Sequence, residues 1–381
     1  MNRDFIYLDN AATTKVEPLV LNLFNKAHEV YFANPSSIHK LGQEAAYVLN
    51  KTKENVLKFL KLNDHQVIYT SGATEANNLA IKGACLRYKN RGKHIITSIY
   101  EHPSVLEAFK QLESEFGFDV TYLKPNSDGV ITVDNVVQAI KKDTIFVSIM
   151  AVNNEIGSIN PIEEIADALK TYPKVIFHSD CSQLIGKANK SINYNKIDMI
   201  TVSAHKMHGF VGFGALIKRK KIDLLPLNSG GGQEYNLRSG TADLIGALCF
   251  EKTLLIATME EKERFEYVDM LANRLISYLK GNSDLFELNL PNPINPYIIN
   301  FSCLTKKGSV VVEALSNAGF MVSSVSACHS SKEKGSYVVA SLGKSDVAIN
   351  NTVRVSLDYT NKMEEIDAFI EALNRIMKEI R

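Results

Sequence analysis

The chain has 381 residues, 45% of them apolar and 22% charged, with a formal net charge of +1. That length can bury a large core and points to two domains, while the near-neutral balance gives no argument for nucleic acid or a membrane surface. No apolar run is long enough to span a bilayer.

The first residues, M-N-R-D-F-I-Y-L-D-N, lack the long apolar stretch of a secretory signal. In chain order, short apolar runs predict buried strands at 67–69, 94–97, 120–123, 145–149, 175–178, 199–202 and 214–217. Helical patterns at 75–88, 104–116 and 162–169 lie between several of them. Strands alternating with helices imply a mostly parallel sheet covered on both faces, an α/β fold. After about residue 250 the texture changes. A long helical pattern at 251–279 leads to the loop P-N-P-I-N-P (291–296), a strand at 297–301, a helix at 309–317, a strand at 353–357 and a last helix at 362–380. This part reads as a smaller α+β domain. The five cysteines, Cys85, Cys181, Cys249, Cys303 and Cys328, are scattered without a C-x-x-C pair. Reduced thiols in a cytoplasmic protein are expected, with no zinc site.

Lys206 lies in S-A-H-K-M-H-G (203–209), just past an apolar strand, and Asp180 ends the earlier strand of V-I-F-H-S-D (175–180). An aspartate and a lysine at successive strand ends suit pyridoxal 5'-phosphate (PLP). The lysine can form a Schiff base with the cofactor aldehyde, and the aspartate can keep the pyridine nitrogen protonated so that the ring accepts electrons. Upstream, H-Q-V-I-Y-T-S-G-A-T-E-A-N-N (65–78) reads strand, glycine turn, helix. Free N–H groups at a helix start, with the Thr74 hydroxyl, make an anion site. Ordinary capping by Ser71 or Thr74 explains the same residues. With Lys206 and Asp180 in the chain, a cofactor phosphate is favoured. G-x-G-x-x-G is absent after the strand, so this is not a dinucleotide fingerprint.

Several strings in order resemble the NifS/IscS-like cysteine desulfurases, PLP enzymes of fold type I (aspartate-aminotransferase-like). They include Y-L-D-N-A-A-T-T (7–14), N-P-S-S (34–37), T-S-G-A-T-E-A-N-N-L-A-I-K-G (70–83), V-N-N-E-I-G (152–157), S-A-H-K (203–206), L-R-S-G-T (237–241) and S-A-C (326–328). The resemblance implies a large PLP-binding domain at 15–255 and a small domain made of 1–14 and 256–381. It implies that Lys206 bears the cofactor, that His102 stacks on the ring and moves protons, and that Asp180 pairs with the pyridinium. Gln183 and Asn153 match groups near the ring hydroxyl. Ala73, Thr74, Ser203 and His205 match the phosphate cradle. Thr241 matches a phosphate contact from the other subunit of a homodimer. Arg354, with help from Asn34, matches the clamp on the carboxylate of L-cysteine, a task suited to a planar donor fork.

Cys328 sits in the polar stretch 322–337, rich in Ser, Lys and Gly, which reads as a mobile loop. His329, Lys332 and Lys334 favour its thiolate there. Cys181 reads as a packing residue behind Asp180. The implied activity takes sulfur from L-cysteine, leaves L-alanine, and passes a Cys328 persulfide to an acceptor, either an iron–sulfur scaffold or a tRNA- or thiamine-pathway sulfurtransferase. A selenocysteine lyase or cysteine desulfhydrase shares the Lys–Asp–His core and is the competing enzyme; a scaffold without chemistry is the other competitor. The chain departs from the family pattern at Tyr235 and Asn236 (in place of Arg-Gly), Val325 (Gly) and Asp358-Tyr359 (Gly-Arg).

Overall fold

The computed structural model describes residues 5–189, 191–324 and 335–379. The strands are β1 (Ile6–Tyr7), β2 (His65–Thr70), β3 (His94–Ser98), β4 (Asp119–Leu123), β5 (Thr144–Ser148), β6 (Ile176–Asp180), β7 (Met199–Ser203), β8 (Gly214–Arg219), β9 (Phe286–Leu288), β10 (Ile298–Cys303), β11 (Phe320–Met321) and β12 (Thr352–Ser356). Seven of them form one sheet in the order β2-β8-β7-β6-β5-β3-β4. Its pairs are parallel except those of β8, which runs antiparallel to both β2 and β7. Helices cover both faces, so β3, β5, β6 and β7 are buried along their whole length. Each large apolar side chain so buried contributes about 1.5–3 kcal/mol. One core layer holds Phe177 and Ile200, and the other holds Phe146 and Met199.

A three-stranded antiparallel sheet, β12-β10-β9, packs on the helices Glu261–Gly281 and Met363–Glu379 with a core of its own. Leu8 and Ala11 belong to this core, so the N-terminal segment joins the C-terminal part. Val338 and Val339 pack instead into the core of the large sheet.

The helical pattern at 251–279 is two helices, Leu244–Met259 and Glu261–Gly281, broken at Glu260 (φ −125°, ψ 32°). Glu260 accepts the role of hinge between two apolar faces that bury in different clusters: Phe250 and Leu254 in the large core, Val268 and Leu271 in the smaller one. Apolar spacing alone runs straight across this break. Two long helices without a place in the sequence reading, Pro18–Val30 and Lys40–Phe59, pack on Leu244–Met259.

Candidate active site

The carboxyl ends of the parallel strands set the site. In open α/β sheets ligands bind in the crevice just outside those ends. β6 turns from apolar to polar as it arrives there, ending His178-Ser179-Asp180, all buried. β7 ends at Ser203, and the single turn Ala204–Lys206 carries Lys206 on past the sheet edge. β2 ends in the turn Ser71-Gly72, with Gly72 at φ +144°, and the helix Ala73–Tyr88 starts at once. A side chain on Gly214 would meet the Gly72 backbone at 2.8 Å, so β8 approaches this turn as only glycine permits.

A cavity of about 430 Å³ opens between these ends, and Lys206, Asp180, His102, Ser203 and Arg354 share its wall. Ala73, Thr74, His205 and Gln183 line it too. Another cavity, of about 460 Å³, lies near Phe59, Tyr194 and Glu261 and contains none of these residues.

Lys206 Nζ donates to the carbonyls of Ala11 and Ala12, both at 2.7 Å. Burial first, then the charges of Lys187 and Arg354, push this ammonium down from its ordinary value to about 8. Asp180 accepts from the Ser182 N–H at 2.9 Å and from Asn77 Nδ2 at 2.8 Å. Asn77 also donates to Ser104 Oγ, which lies 2.8 Å from His102 Nδ1. A single polar chain therefore links His102, Ser104, Asn77 and Asp180. His102 itself caps the helix Pro103–Phe116. His205, next to Lys206, lies 3.2 Å from Thr13 Oγ1, and burial followed by the Lys206 charge lowers its imidazole to about 4.

Arg354, on β12, is held by the Asp9 carboxylate (Nη2, 2.9 Å) and the Asn154 carbonyl (Nη1, 2.9 Å). Among the described residues its buried Nε has no partner. The Ser203 and Ser182 hydroxyls are likewise buried without one. Unsatisfied donors on a cavity wall are costly unless a ligand meets them. The open space over Gly72, where an added side chain would touch nothing within 4 Å, sits at the start of a 16-residue helix. Exposed N–H groups and the helix dipole attract a phosphate there.

Three residues expected at the site stand outside the cavity. Asn153 is fully buried in its own turn: Nδ2 donates to Tyr100 O, and Oδ1 accepts from the N–H groups of Glu155 and Ile156. Asn34 is exposed and accepts from Ser36 N at 2.9 Å. Thr241 is exposed in the loop after Gly240. Cys328, with Val325, His329, Lys332 and Lys334, lies outside the described residues. Asn77 and the Ala11 and Ala12 carbonyls belong to the site but were not singled out in the sequence. Asn77 lies within T-E-A-N-N, and its signal is a buried amide in an otherwise apolar helix face.

The unusual residues find structural partners. Asp358 accepts from His208 Nε2 at 3.0 Å, two residues past Lys206. Burial raises the Asp358 carboxyl, but the His208 hydrogen bond and charge outweigh it and hold it below the usual range. Tyr359 stacks on the Arg264 guanidinium. Tyr235 and Asn236 both have left-handed backbones (φ 60° and 62°), as does Glu234, whose carboxylate is locked in a buried ion pair with Lys53 at 2.8 Å. Lys53 also lies 4.6 Å from the Tyr235 ring centre.

The model of the aminotransferase class-V family matches residues 6–369. The chain belongs to the class-V aminotransferase family. Within it, the chain is 38% identical to a NifS/IcsS protein homolog of Lactobacillus delbrueckii subsp. bulgaricus, over 97% of both chains. It is 36% identical to the cysteine desulfurase IscS of Dictyoglomus turgidum, over 99% of this chain and 95% of that one. A solved NifS-like protein superposes with a TM-score of 0.90 at 32% identity, covering 99% of this chain and all of the other. The fold is therefore PLP fold type I, and this class-V aminotransferase is a PLP enzyme of the NifS/IscS type. The cavity fits that cofactor: it offers a lysine, a carboxylate at the end of β6, buried Ser203, Ser182 and Arg354 groups without a partner among the described residues, and the start of a helix.

Proposed function

We propose that the chain removes sulfur from L-cysteine with PLP, releases L-alanine, and carries the sulfur as a persulfide on Cys328 to an acceptor protein. The observation that carries this reading is one cavity shared by Lys206, Asp180 and Arg354 while every described thiol is sealed away. Cys85, Cys181, Cys249 and Cys303 are all buried, and burial raises each thiol, Cys249 and Cys303 to about 12. A buried thiol is a poor nucleophile, which leaves Cys328.

In this reading Lys206 would hold the cofactor, Asp180 would keep its ring nitrogen protonated, and His102 would pack on the ring and move protons. Ala73, Thr74, Ser203 and His205 hold the phosphate; Gln183 and Asn153 serve the ring hydroxyl, Asn153 by ordering the turn behind it. When bound, PLP supplies an electron sink for charge left on the substrate Cα. Arg354 receives the substrate carboxylate, with Nε as the edge that the protein leaves unmet. The Lys206 amine, neutral in part near pH 8, takes the Cα proton. Cys328 thiolate attacks the substrate sulfur. An S–S bond forms as the C–S bond breaks, the electron pair of the broken bond stays with Cβ, a proton delivered by Lys206 or His102 completes the methyl group, and Lys206 returns a proton to Cα to give alanine.

The root of the Cys328 segment supports this. Ser323 exchanges backbone hydrogen bonds with Arg354 (2.8 and 3.2 Å), and Cys328 follows five residues later, a reach of roughly 17 Å at full stretch. At the other end Ser336 donates to Glu155, next to the Asn154 carbonyl that holds Arg354.

A homodimer accounts for Thr241 and Asn34 standing on the surface. It also covers Leu19, Leu21, Phe32, Ile38 and Val211, large apolar side chains that are exposed in one protomer. We assign residues 15–255 to a PLP-binding domain and 1–14 with 256–381 to a small domain. The protein works in the cytoplasm on an acceptor such as an iron–sulfur scaffold or a tRNA- or thiamine-pathway sulfurtransferase. Among the described residues no helix is long and apolar enough to cross a membrane.

The test is to incubate the enzyme with L-cysteine and measure alanine together with protein mass. Alanine plus one extra sulfur on the Cys328 peptide is expected. Sulfide and pyruvate with no sulfur on the protein would instead mark a desulfhydrase. A second substitution probes the ring partner. Asp180→Asn should still bind PLP, because the phosphate cradle is untouched, yet lose about 10²-fold or more in turnover as the ring charge is no longer held. Near-normal turnover with bound cofactor would show that another group sets the ring charge.

A further inference from the structure

We propose that Lys187 is a positioning residue for the reaction: a second buried ammonium that is linked to Lys206 through Gln183 and the Ala11 carbonyl, and keeps protons off the Lys206 nitrogen. The proposal rests on PLP being joined to Lys206.

Lys187 lies in the turn after β6, seven residues beyond Asp180, and is 4% exposed. A lysine is almost never buried so fully without a carboxylate partner. Here Nζ donates to a neutral amide, Gln183 Oε1, at 3.3 Å, and lies 5.7 Å from the centre of the Tyr297 ring. The other end of the same amide, Gln183 Nε2, donates to Ala11 O at 2.9 Å. Ala11 O is also an acceptor for Lys206 Nζ at 2.7 Å. The two ammonium groups thus bracket one amide and one carbonyl. The backbone of Lys187 is pinned as well, since its carbonyl accepts from Asn295 Nδ2 at 2.9 Å.

This arrangement has an electrostatic consequence. The charged groups around Lys206 are Lys187 from the turn after β6, Arg354 from β12, Asp180 from the end of β6 and Asp9 from the N-terminal segment. His205 is its neighbour in the chain, and His102 and Glu75 share the cavity wall. Arg354 is itself paired with Asp9, and Asp180 is met by Asn77 and Ser182. Among the described residues Lys187 makes no ion pair, and its charge stands first among those that lower the Lys206 ammonium. Asp358 is the carboxylate that acts on Lys187, and it is shared with His208. A like charge in a dry site disfavours a second proton. A lysine next to another cation is thereby kept a better base and nucleophile at neutral pH.

The experiment uses the holoenzyme. The visible absorbance of bound PLP reports the proton on the nitrogen that joins it to Lys206, and its pH midpoint is read in each variant. Lys187→Met and Lys187→Gln remove the charge and should raise the midpoint by about one pH unit, the low end of the effect of one neighbouring charge. Lys187→Arg keeps the charge and should restore the native midpoint to within a few tenths of a unit. Cofactor stoichiometry and borohydride peptide mapping accompany each titration. A midpoint unchanged in whichever charge-free variant retains PLP on Lys206 would overturn the role of Lys187 alone. An equal shift in Lys187→Arg would overturn it too, since that makes the effect one of packing. A pyridoxyl group found on Lys187 or any other lysine would overturn both this role and the functional reading beneath it.

Discussion

Lys206→Ala is expected to leave a folded protein that no longer holds PLP covalently and turns over L-cysteine at least about 10²–10⁴-fold more slowly. Two roles are lost together. The amine that joins the cofactor is gone, and so is the base placed to take the Cα proton. The fold should survive, because Lys206 belongs to a single turn after β7 and, among the described residues, its side chain bonds to the Ala11 and Ala12 carbonyls alone. Removing a buried ammonium also removes a desolvated charge, which limits the cost in stability. Borohydride reduction followed by peptide mapping checks the first role, and alanine production checks the second. A pyridoxyl group still attached in Lys206→Ala, at another lysine, would place the chemistry elsewhere. A pH profile gives a further check. Because the Lys206 ammonium is depressed to about 8, the neutral amine disappears as pH falls through that value. Rebinding of PLP by cofactor-stripped native protein should therefore slow progressively below pH 8 and level off above it.

The parts of this site that could be read from the sequence are those whose chemistry shows in a side chain. Lys206 and Asp180 sit at the ends of adjacent strands, β7 and β6, where an open α/β sheet leaves its crevice. The glycine turn before Ala73 was legible for the same reason: it joins a strand to a helix and must bend sharply. What the sequence could not show is a partner whose signal is backbone. The Ala11 and Ala12 carbonyls hold Lys206, yet nothing in an alanine pair marks a carbonyl that points at a lysine 195 residues away. Asn77 was hidden because helix asparagines are usually solvated, and only packing against β6 turns this one toward Asp180. The helix break at Glu260 was invisible because both flanking helices keep their apolar spacing while burying it in different cores. Asp358 and Tyr359 stood in the sequence only as departures from the family pattern. In the fold they are contacts: Asp358 joins the end of β12 to His208, just past the turn bearing Lys206, and Tyr359 meets Arg264 of the helix Glu261–Gly281. Asn153 illustrates the reverse: its position near the ring was anticipated, but its amide is consumed in ordering its own turn.

Cys328→Ser and Cys181→Ala should part company completely. Cys328→Ser is expected to retain PLP and its spectral response to cysteine, because Lys206, Asp180 and Arg354 are each held by contacts of their own, from Ala11 and Ala12, from Asn77 and Ser182, and from Asp9 and Asn154. It should nevertheless form no persulfide and deliver no sulfur, since a hydroxyl at neutral pH is a far weaker nucleophile than a thiolate. Cys181 lies directly beside Asp180, closer in sequence to the cofactor than any other thiol. Its position argues against reactivity all the same. It is fully buried, and desolvation first, then the Asp180 charge, pushes the thiol well above its ordinary range. At neutral pH it stays protonated, packed against the large core with Leu184 and Ile185. Cys181→Ala removes one sulfur from that core, so the expected cost is a small loss of stability with persulfide formation intact. The measurement is intact-protein mass after L-cysteine, with and without a thiol reductant, on both variants. Extra sulfur on Cys181→Ala and none on Cys328→Ser is the expected pair. The opposite pair would mean that a sealed thiol beside the cofactor opens during turnover and that the segment at 325–334 serves some other purpose.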